Sequence, residues 1–298
     1  MKQILTALVA AFMALSGPLA AEEVTIRHGQ LVLNANLELA GGKGPGDGVL
    51  VMTHGTLAHN RMEIMANLQE LLKARGISTL AINLSLGISN RHNMYDCNQP
   101  MRHRHADAVE EIAAWVEWLK GRGARTIWLL GHSRGGNQTA WYAATRAPEE
   151  VTKVILLAPM TDDERRAAAA YKARFGTPLA PMVAQARDFI RAGHGNEPME
   201  LPGILYCKGG RATPESFLSY HGPDVRRDTP YWLPKIKIPV LIIAGREDKI
   251  AGDLIARVKP LADGRHIRLK VIEDADHFFR DFAAEDAADA MAAFLSRP

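Results

Sequence analysis

Residues 126–136 read TIWLLGHSRGG, and this stretch decides the fold. Its first five residues are apolar or β-branched, which predicts a buried strand, and a helical pattern follows up to about residue 146. Ser133 therefore lies on a tight turn from strand to helix, with Gly131 and Gly135 two residues away on either side. Such a turn crowds its neighbours and lifts the serine hydroxyl out of the sheet. The pattern predicts a nucleophilic serine; a glycine-rich helix entry with an incidental serine is the alternative.

Short apolar runs recur along the chain on both sides of this turn. They cover residues 49–53, 79–84, 127–130, 154–158 and 240–244. Runs that are apolar on both faces suit strands in the interior of a parallel sheet. Segments in which apolar residues have helical spacing separate them, as in residues 109–119. This alternation predicts an α/β fold, with a mostly parallel central sheet and helices on both of its faces.

The alternation breaks off once, between residues 160 and 234. This segment contains an alanine-rich, charged helical pattern at residues 164–175, followed by loops punctuated by proline and glycine. A crossover between consecutive sheet strands needs far fewer residues. We therefore predict one catalytic domain over residues 22–298, with a cap inserted at about residues 160–234.

Four features, in this order, resemble the α/β-hydrolase superfamily. They are His54-Gly55 after an early strand, the serine turn, an acid in Gly245-Arg246-Glu247-Asp248, and a histidine in Asp274-Ala275-Asp276-His277-Phe278. The resemblance covers nearly all of the chain after its first 21 residues, and it implies an α/β-hydrolase fold. It also implies hydrolysis of esters, amides, thioesters or related bonds without a cofactor.

A serine nucleophile needs a base and an acid. The hydroxyl is a weak nucleophile at neutral pH until a neighbouring base takes its proton, and histidine suits that task. Of the eleven histidines, only His277 directly follows the last strand-like run, residues 267–272. We predict Ser133 as the nucleophile and His277 as the base. Asp248, which follows a later strand, is predicted to orient the imidazole, with Asp162 as the alternative position.

Two backbone N–H groups are expected to stabilise the oxyanion of the reaction. One belongs to Arg134, because this residue opens the helix after the nucleophile. The resemblance places the other at Thr56, with Leu57 as the less favoured donor. The Arg134 side chain stands next to the nucleophile, where a guanidinium would favour substrates that carry a carboxylate or phosphate. The alternative is a pair between Arg134 and a cap carboxylate, Asp162 or Asp163.

The first 21 residues have the layout of a secretory signal. Lys2 precedes an uncharged apolar run at residues 4–15, and small residues then lead to an acidic pair at residues 22–23. The run is shorter than the roughly 20 residues that a membrane-spanning helix needs. We predict cleavage after Ala20 or Ala21, no stable membrane span in the mature chain, and a periplasmic or secreted protein. An uncleaved membrane anchor is the alternative.

Cys97 and Cys207 are the only cysteines of the chain. Export exposes thiols to an oxidising environment, and neither cysteine lies beside a motif that would activate a thiolate. We predict a disulfide between them, with two buried free thiols as the alternative. The bond would tie the cap to the long polar loop after residues 79–84. That loop is expected either to line the site or to be purely structural.

The composition excludes several other classes of protein. The chain has 36 Lys and Arg and 33 Asp and Glu, and the positive and negative residues are interleaved along it. Nucleic acid is therefore not the expected partner. His103 and His105 lack a third ligand at informative spacing, so they are predicted as surface residues, with no metal or other cofactor. We predict an exported serine hydrolase that cleaves a small carboxylic ester through an acyl-enzyme. A non-catalytic binding protein that keeps the fold is the alternative.

Overall fold

A computed structural model describes residues 21–297, so the predicted signal segment lies outside the described residues apart from Ala21. The strands in this part of the chain are β1 (Glu22–His28), β2 (Leu31–Glu38), β3 (Val49–Thr53), β4 (Ser78–Asn83), β5 (Ile127–His132), β6 (Val151–Leu157), β7 (Met199–Glu200), β8 (Gly203–Ile204), β9 (Cys207–Lys208), β10 (Arg211–Ala212), β11 (Val240–Gly245) and β12 (Ile267–Ile272). The α-helices are α1 (Glu63–Ala74), α2 (Asp107–Gly121), α3 (Arg134–Thr145), α4 (Glu164–Phe175), α5 (Leu179–Arg191), α6 (Pro214–His221), α7 (Thr229–Trp232), α8 (Leu254–Val258) and α9 (Phe282–Leu295). Short 3-10 helices lie at Pro45–Asp47, Val225–Arg227, Leu233–Lys235 and Lys259–Leu261. Among these residues, no helix is both long enough and apolar enough to cross a membrane.

Eight of these strands form one central sheet, in the order β1-β2-β4-β3-β5-β6-β11-β12. β1 and β2 are antiparallel to their neighbours, and the other six strands of this sheet run parallel to one another. β3 lies between β4 and β5, where Met52 is opposite both Ala81 and Leu130. Every residue of β3 is buried, as expected for an interior strand covered on both faces. The predicted α/β fold with a mostly parallel sheet is confirmed.

Helices cover both faces of this sheet. Side chains alternate along β3, so that Val49 and Val51 face one core layer while Leu50 and Met52 face the other. The first layer contains the inner faces of α2 and α3, and the second contains those of α1 and α9. Because the parallel strands point in one direction, the carboxyl ends of β3, β5, β11 and β12 lie at one edge of the sheet. The candidate site lies at this edge.

The sequence pattern does not predict β1. Its residues alternate between exposed and half-buried positions, and it begins with two glutamates, so it lacks the apolar run of an interior strand. It is one of the two edge strands of the sheet and pairs along its whole length with β2, from Glu22 opposite Leu37 to His28 opposite Leu31. An edge strand of this kind is stabilised by its partner and carries little signal of its own.

Residues 160–234, called the cap below, lie between β6 and β11 and add no strand to the eight-stranded sheet. They contain α4 to α7 and the short strands β7 to β10, which form two small antiparallel pairs. The cap contacts the loop after β4 through a bridge between Met101 and Ala212. There the Met101 N–H donates to the Arg211 carbonyl oxygen at 2.8 Å, and the Thr213 N–H donates to the Met101 carbonyl oxygen at 2.9 Å.

A disulfide joins Cys97 to Cys207, as predicted. Their Cα atoms are 5.3 Å apart, and the two residues are separated by 110 positions in the sequence. Cys97 lies in the loop after β4 and Cys207 lies in β9, so the bond holds this loop against the cap. Within the described residues, no cysteine is free.

Removal of this disulfide is expected to destabilise the protein. The double variant Cys97→Ala/Cys207→Ala should lose about 2–4 kcal/mol of unfolding free energy, because the crosslink restricts the unfolded chain. Urea denaturation followed by circular dichroism measures the difference from wild type. A reducing buffer provides the control, since it should bring the wild-type midpoint down to that of the variant. Equal midpoints without reductant would contradict the prediction.

Candidate active site

Ser133 lies on the turn between β5 and α3 in an unusual backbone conformation. Its φ is 55° and its ψ is −122°, a combination that residues with a side chain rarely adopt. The flanking glycines allow very close contacts. A Cβ on Gly131 would lie 2.5 Å from the Gly135 carbonyl oxygen, and one on Gly135 would lie 2.2 Å from the His54 carbonyl oxygen. The structure thus places Ser133 on the crowded turn that the sequence pattern predicts.

Ser133, His277 and Asp248 form one chain of hydrogen bonds. The Ser133 hydroxyl donates to His277 Nε2 at 2.9 Å, and His277 Nδ1 donates to Asp248 Oδ2 at 2.7 Å. The side chains of His277 and Asp248 are only 6% and 3% exposed, so water hardly competes for their bond. In this tautomer, Nε2 of His277 carries a free electron pair that can accept the serine proton.

Hydrogen bonds between two loops position the acid relative to the base. The Glu247 N–H, in the loop after β11, donates to the Ala275 carbonyl oxygen in the loop after β12 at 3.0 Å. Asp248 Oδ1 accepts from the N–H groups of Ile250 at 2.8 Å and Ala251 at 2.9 Å. Burial alone would raise the pKa of Asp248, but hydrogen bonds from the imidazole and from these N–H groups lower that pKa below its usual value. The carboxylate therefore stays charged beside the imidazole at neutral pH.

The alternative acid, Asp162, has a different partner. It lies in the cap, where its Oδ2 atom accepts from Arg227 Nε at 2.9 Å and from Arg227 Nη2 at 2.8 Å. Two charge-assisted hydrogen bonds to this one oxygen hold the carboxylate against the arginine. The structure brings Asp248 to His277 and leaves Asp162 paired with a cap arginine.

The backbone N–H groups of Thr56 and Arg134 form no hydrogen bond within residues 21–297. Arg134 is the first residue of α3, where N–H groups have no partner inside the helix. Thr56 lines the same cavity as Ser133. Leu57 is buried and does not line this cavity. The arrangement favours Thr56 and Arg134 as donors to an oxyanion that forms at the serine.

Two buried side chains hold the loop that carries Thr56: His54, which belongs to a motif noted in the sequence, and Arg91, which sequence reasoning missed. His54 is fully buried, and its Nε2 atom accepts from the Leu84 N–H at 3.0 Å. Arg91 donates through Nη2 to the carbonyl oxygens of Ala58 at 2.8 Å and Leu84 at 2.7 Å. Burial and the adjacent guanidinium lower the pKa of His54 to about 3, so this imidazole remains neutral. The only sequence signal was an arginine within a long polar loop, which does not reveal these contacts.

A cavity of about 270 Å³ is lined by Ser133 and His277. Most of its other lining side chains are apolar; they include Ala58, Met62, Met94, Tyr206, Ile250 and Phe278. Its size suits a small chemical group, and its lining favours an apolar one. Met94 comes from the loop after β4 and Tyr206 from the cap, so the two segments joined by the disulfide both form walls of the cavity.

His103 and His105 are buried, so the prediction of surface histidines was wrong. Only 3% and 1% of their surfaces are exposed. His103 Nδ1 lies 2.7 Å from the Tyr220 hydroxyl, and His105 Nε2 donates to Asn137 Oδ1 at 2.7 Å. The covering residue Tyr220 belongs to the cap, whose position the sequence did not show. Among the described residues, no group of three or more His, Cys, Asp and Glu could hold a metal ion.

Several histidines stay uncharged inside the folded protein. Burial lowers the pKa of His54 to about 3 and that of His132 to about 4. In the cap, burial and then nearby arginines lower the pKa of His221 to about 3. His221 uses its unprotonated Nε2 atom to accept from the Leu205 N–H at 3.1 Å. Unfolding would return all of these groups to the usual histidine pKa near 6.5.

Stability is therefore expected to fall as the pH falls below about 6.5. Above that pH neither state is protonated at these histidines, whereas below it only the unfolded chain takes up protons, until the folded pKa values of about 3 to 4 are reached. Guanidinium chloride unfolding at about pH 7.5 and about pH 5 measures the loss. The variant His221→Gln, whose amide oxygen can still accept from Leu205, should lose about 1–2 kcal/mol less than wild type over this interval. Equal wild-type stability at both pH values would contradict the prediction.

A mostly parallel sheet that brings a serine, a histidine and an acid together at its carboxyl edge defines the class of α/β hydrolases. Residues 50–294 match the alpha/beta hydrolase family, and this range includes all three side chains. The chain belongs to this family. The family resemblance inferred from the sequence motifs is thereby confirmed.

Solved structures of the same fold cover most of the chain. Est1E from Butyrivibrio proteoclasticus, solved with ferulic acid bound, has a TM-score of 0.66 and 19% identity over 91% of this chain and 97% of its own. A monoacylglycerol lipase from Paleococcus ferrophilus has a TM-score of 0.60 and 21% identity over 88% of this chain and 98% of its own. An esterase from Pyrococcus furiosus has a TM-score of 0.60 and 18% identity over 93% of this chain and 91% of its own. At these identities the likeness shows the fold alone.

Proposed function

We propose that the protein is a serine hydrolase that cleaves carboxylic esters of small molecules. The observation that carries this proposal is the hydrogen-bonded chain from Ser133 through His277 to Asp248, beside two unpaired backbone N–H groups. Membership of the alpha/beta hydrolase family supports hydrolysis, and the similar structures include an esterase and a lipase. The small apolar cavity at the serine supports a substrate with a small apolar group.

In the first half of the reaction, Ser133 Oγ attacks the ester carbonyl carbon while its proton passes to His277 Nε2. The former carbonyl oxygen becomes negatively charged and accepts hydrogen bonds from the N–H groups of Thr56 and Arg134. Asp248 keeps the imidazole oriented and stabilises its positive charge. When this intermediate collapses, the bond to the alcohol oxygen breaks, and His277 gives its proton to the departing oxygen.

In the second half, water attacks the carbonyl carbon of the acyl group on Ser133, and His277 Nε2 takes a proton from that water. The same N–H groups again hold the oxyanion. Collapse releases the carboxylic acid, and the proton on His277 returns to Ser133 Oγ. The balance is one ester and one water consumed, with one acid and one alcohol formed.

We further propose that the protein acts in the periplasm or after secretion. The layout of the first 21 residues and the disulfide between Cys97 and Cys207 support this location. The cytosolic coenzyme A pool is absent there, which favours an ester over an acyl-CoA as substrate. The N-terminal residue of protein recovered from the cells that make it is the test. A start at Ala21 or Glu22 is expected, and an intact Met1 would oppose export.

A fluorophosphonate probe tests the proposed hydrolase directly, because it reacts with an activated serine. Wild type should be labelled at Ser133, and Ser133→Ala should not. His277→Ala, which keeps the serine but removes its base, should be labelled far more slowly. A folded wild type that resists the probe would instead favour a non-catalytic binding protein of the same fold.

A further inference from the structure

Arg134 directly follows the nucleophile in the sequence, and its guanidinium has no carboxylate partner among residues 21–297. Its Nε atom donates to the Thr56 hydroxyl at 3.0 Å, and its Nη1 atom lies 3.5 Å from His105 Nδ1. Its central carbon lies 5.4 Å from the centre of the Tyr220 ring. Nη2 forms no hydrogen bond to any described residue, so the planar donor group is only partly used. The predicted alternative, a pair with Asp162 or Asp163, is not formed.

The aromatic groups around this guanidinium are uncharged. His105 donates from Nε2 to Asn137, so its Nδ1 atom carries no proton, and burial followed by the Arg134 charge holds its pKa well below the usual value. Burial raises the pKa of Tyr220, which keeps its phenol neutral. None of these groups compensates the positive charge of Arg134.

The cap carboxylates near this position already have partners. Asp162 is close enough to act on Arg134, but its Oδ2 atom holds both Nε and Nη2 of Arg227. Asp163 accepts from the Arg166 N–H at the start of α4. The Asp162 carboxylate is therefore taken by Arg227, and the positive charge of Arg134 is left without a paired carboxylate. A charge desolvated in this way is stabilised when an anion pairs with it.

We propose that the Arg134 side chain binds a carboxylate or phosphate group of the substrate, so that the preferred ester is an anionic one. This inference rests on the proposed ester hydrolysis at Ser133. Arg134 directly follows the nucleophile, and its partner Thr56 lines the cavity, so a bound anion would lie close to the scissile ester. The apolar cavity would hold the uncharged part of the same substrate. A guanidinium suits this task because it offers parallel donors to a planar anion.

Matched ester pairs test the inference. On the acyl side, p-nitrophenyl hydrogen glutarate is compared with p-nitrophenyl pentanoate, which has the same chain length but no charge. On the alcohol side, 4-acetoxybenzoate is compared with its methyl ester. 4-Acetoxyphenyl phosphate, in which a phosphate replaces the carboxylate of 4-acetoxybenzoate, shows whether a phosphate or a carboxylate is preferred. For each pair, the anionic-to-neutral ratio of kcat/KM is measured in wild type, Arg134→Met and Arg134→Lys.

Arg134→Met should lower this ratio on the order of 10–100-fold in at least one pair, since it removes charge-assisted hydrogen bonds to the anion. Arg134→Lys should recover part of the ratio, because it keeps the charge but loses the paired donors. The control Arg226→Met removes an exposed cap arginine that pairs with Asp224, and it should leave every ratio unchanged. Because Arg134 also contacts Thr56, the neutral esters report the loss of that contact separately.

Ratios that stay unchanged in Arg134→Met for all pairs would overturn the inference, since a merely structural role changes both members of a pair equally. Fluorophosphonate labelling of the same preparations separates this result from failure of the proposed function. If the enzyme is labelled but the ratios are unchanged, only the proposed anion site is ruled out. If the wild type is neither labelled nor active on any ester, both proposals are ruled out.

Discussion

Ser133→Ala and His277→Ala are each expected to reduce kcat/KM for ester hydrolysis by at least about 10⁴-fold. Without the hydroxyl no acyl-enzyme forms, and without the imidazole the serine cannot lose its proton. Because the two side chains act as a unit through the 2.9 Å hydrogen bond, the double variant should be hardly slower than either single variant. Steady-state kinetics on p-nitrophenyl pentanoate measure these losses, and circular dichroism confirms that the variants are folded. Independent, additive losses would show that the two residues do not work together.

Asp248→Asn should cost up to about 10⁴-fold, because the new amide cannot hold His277 in the tautomer that leaves Nε2 free. Asp162→Asn is the matched control. It makes the same chemical change in the cap, where the carboxylate pairs with Arg227, and it should cost far less. If Asp162→Asn were inactive and Asp248→Asn active, the acid of the proposed mechanism would be Asp162.

The central sheet was the easiest part of the fold to predict. Residues 49–53 were identified with the bounds that the structure shows, because a buried parallel strand is an unbroken apolar run between turns. Residues 267–272 were also identified with the observed bounds, although β12 is an edge strand with charged residues between its apolar ones. β1 (Glu22–His28) was missed for the opposite reason. At the edge of the sheet it needs neither an apolar run nor a buried face, so its position depends on pairing with β2.

Some residues of the candidate site could likewise be predicted from the sequence, and others could not. Ser133, Asp248 and His277 each follow a parallel strand, so strand ends and the chain order of the family pointed to them. The same criteria left Asp162, which follows β6, as an alternative acid. Arg91 could not be found, because its bond to Ala58 joins residues 33 positions apart through loops without a repeating pattern. The burial of His105 depends on where the cap lies, and a single sequence does not contain that information.

Gly135→Ala is expected to have a large effect on folding. Helix propensity alone would favour alanine by roughly 1 kcal/mol at this position in α3. The added Cβ, however, would lie 2.2 Å from the His54 carbonyl oxygen and 2.7 Å from that of Thr53. Both are backbone atoms at the end of β3, so no side-chain rotation relieves the contact. The strand end must move, and it carries the loop that holds Thr56.

We expect Gly135→Ala to lose at least about 3 kcal/mol of unfolding free energy, the upper end of ordinary overpacking, since here the backbone itself must shift. Gly121→Ala is the matched control, because this glycine ends α2 and a Cβ there would meet nothing within 4 Å. It should leave stability unchanged or raise it slightly. Chemical denaturation compares the three proteins, and kcat of the folded fraction of Gly135→Ala shows whether the displaced loop also weakens oxyanion binding. A Gly135→Ala protein as stable as Gly121→Ala would mean that β3 and α3 are not packed as closely as this structure has them, and the geometry that positions Ser133 against Thr56 would then need to be revised.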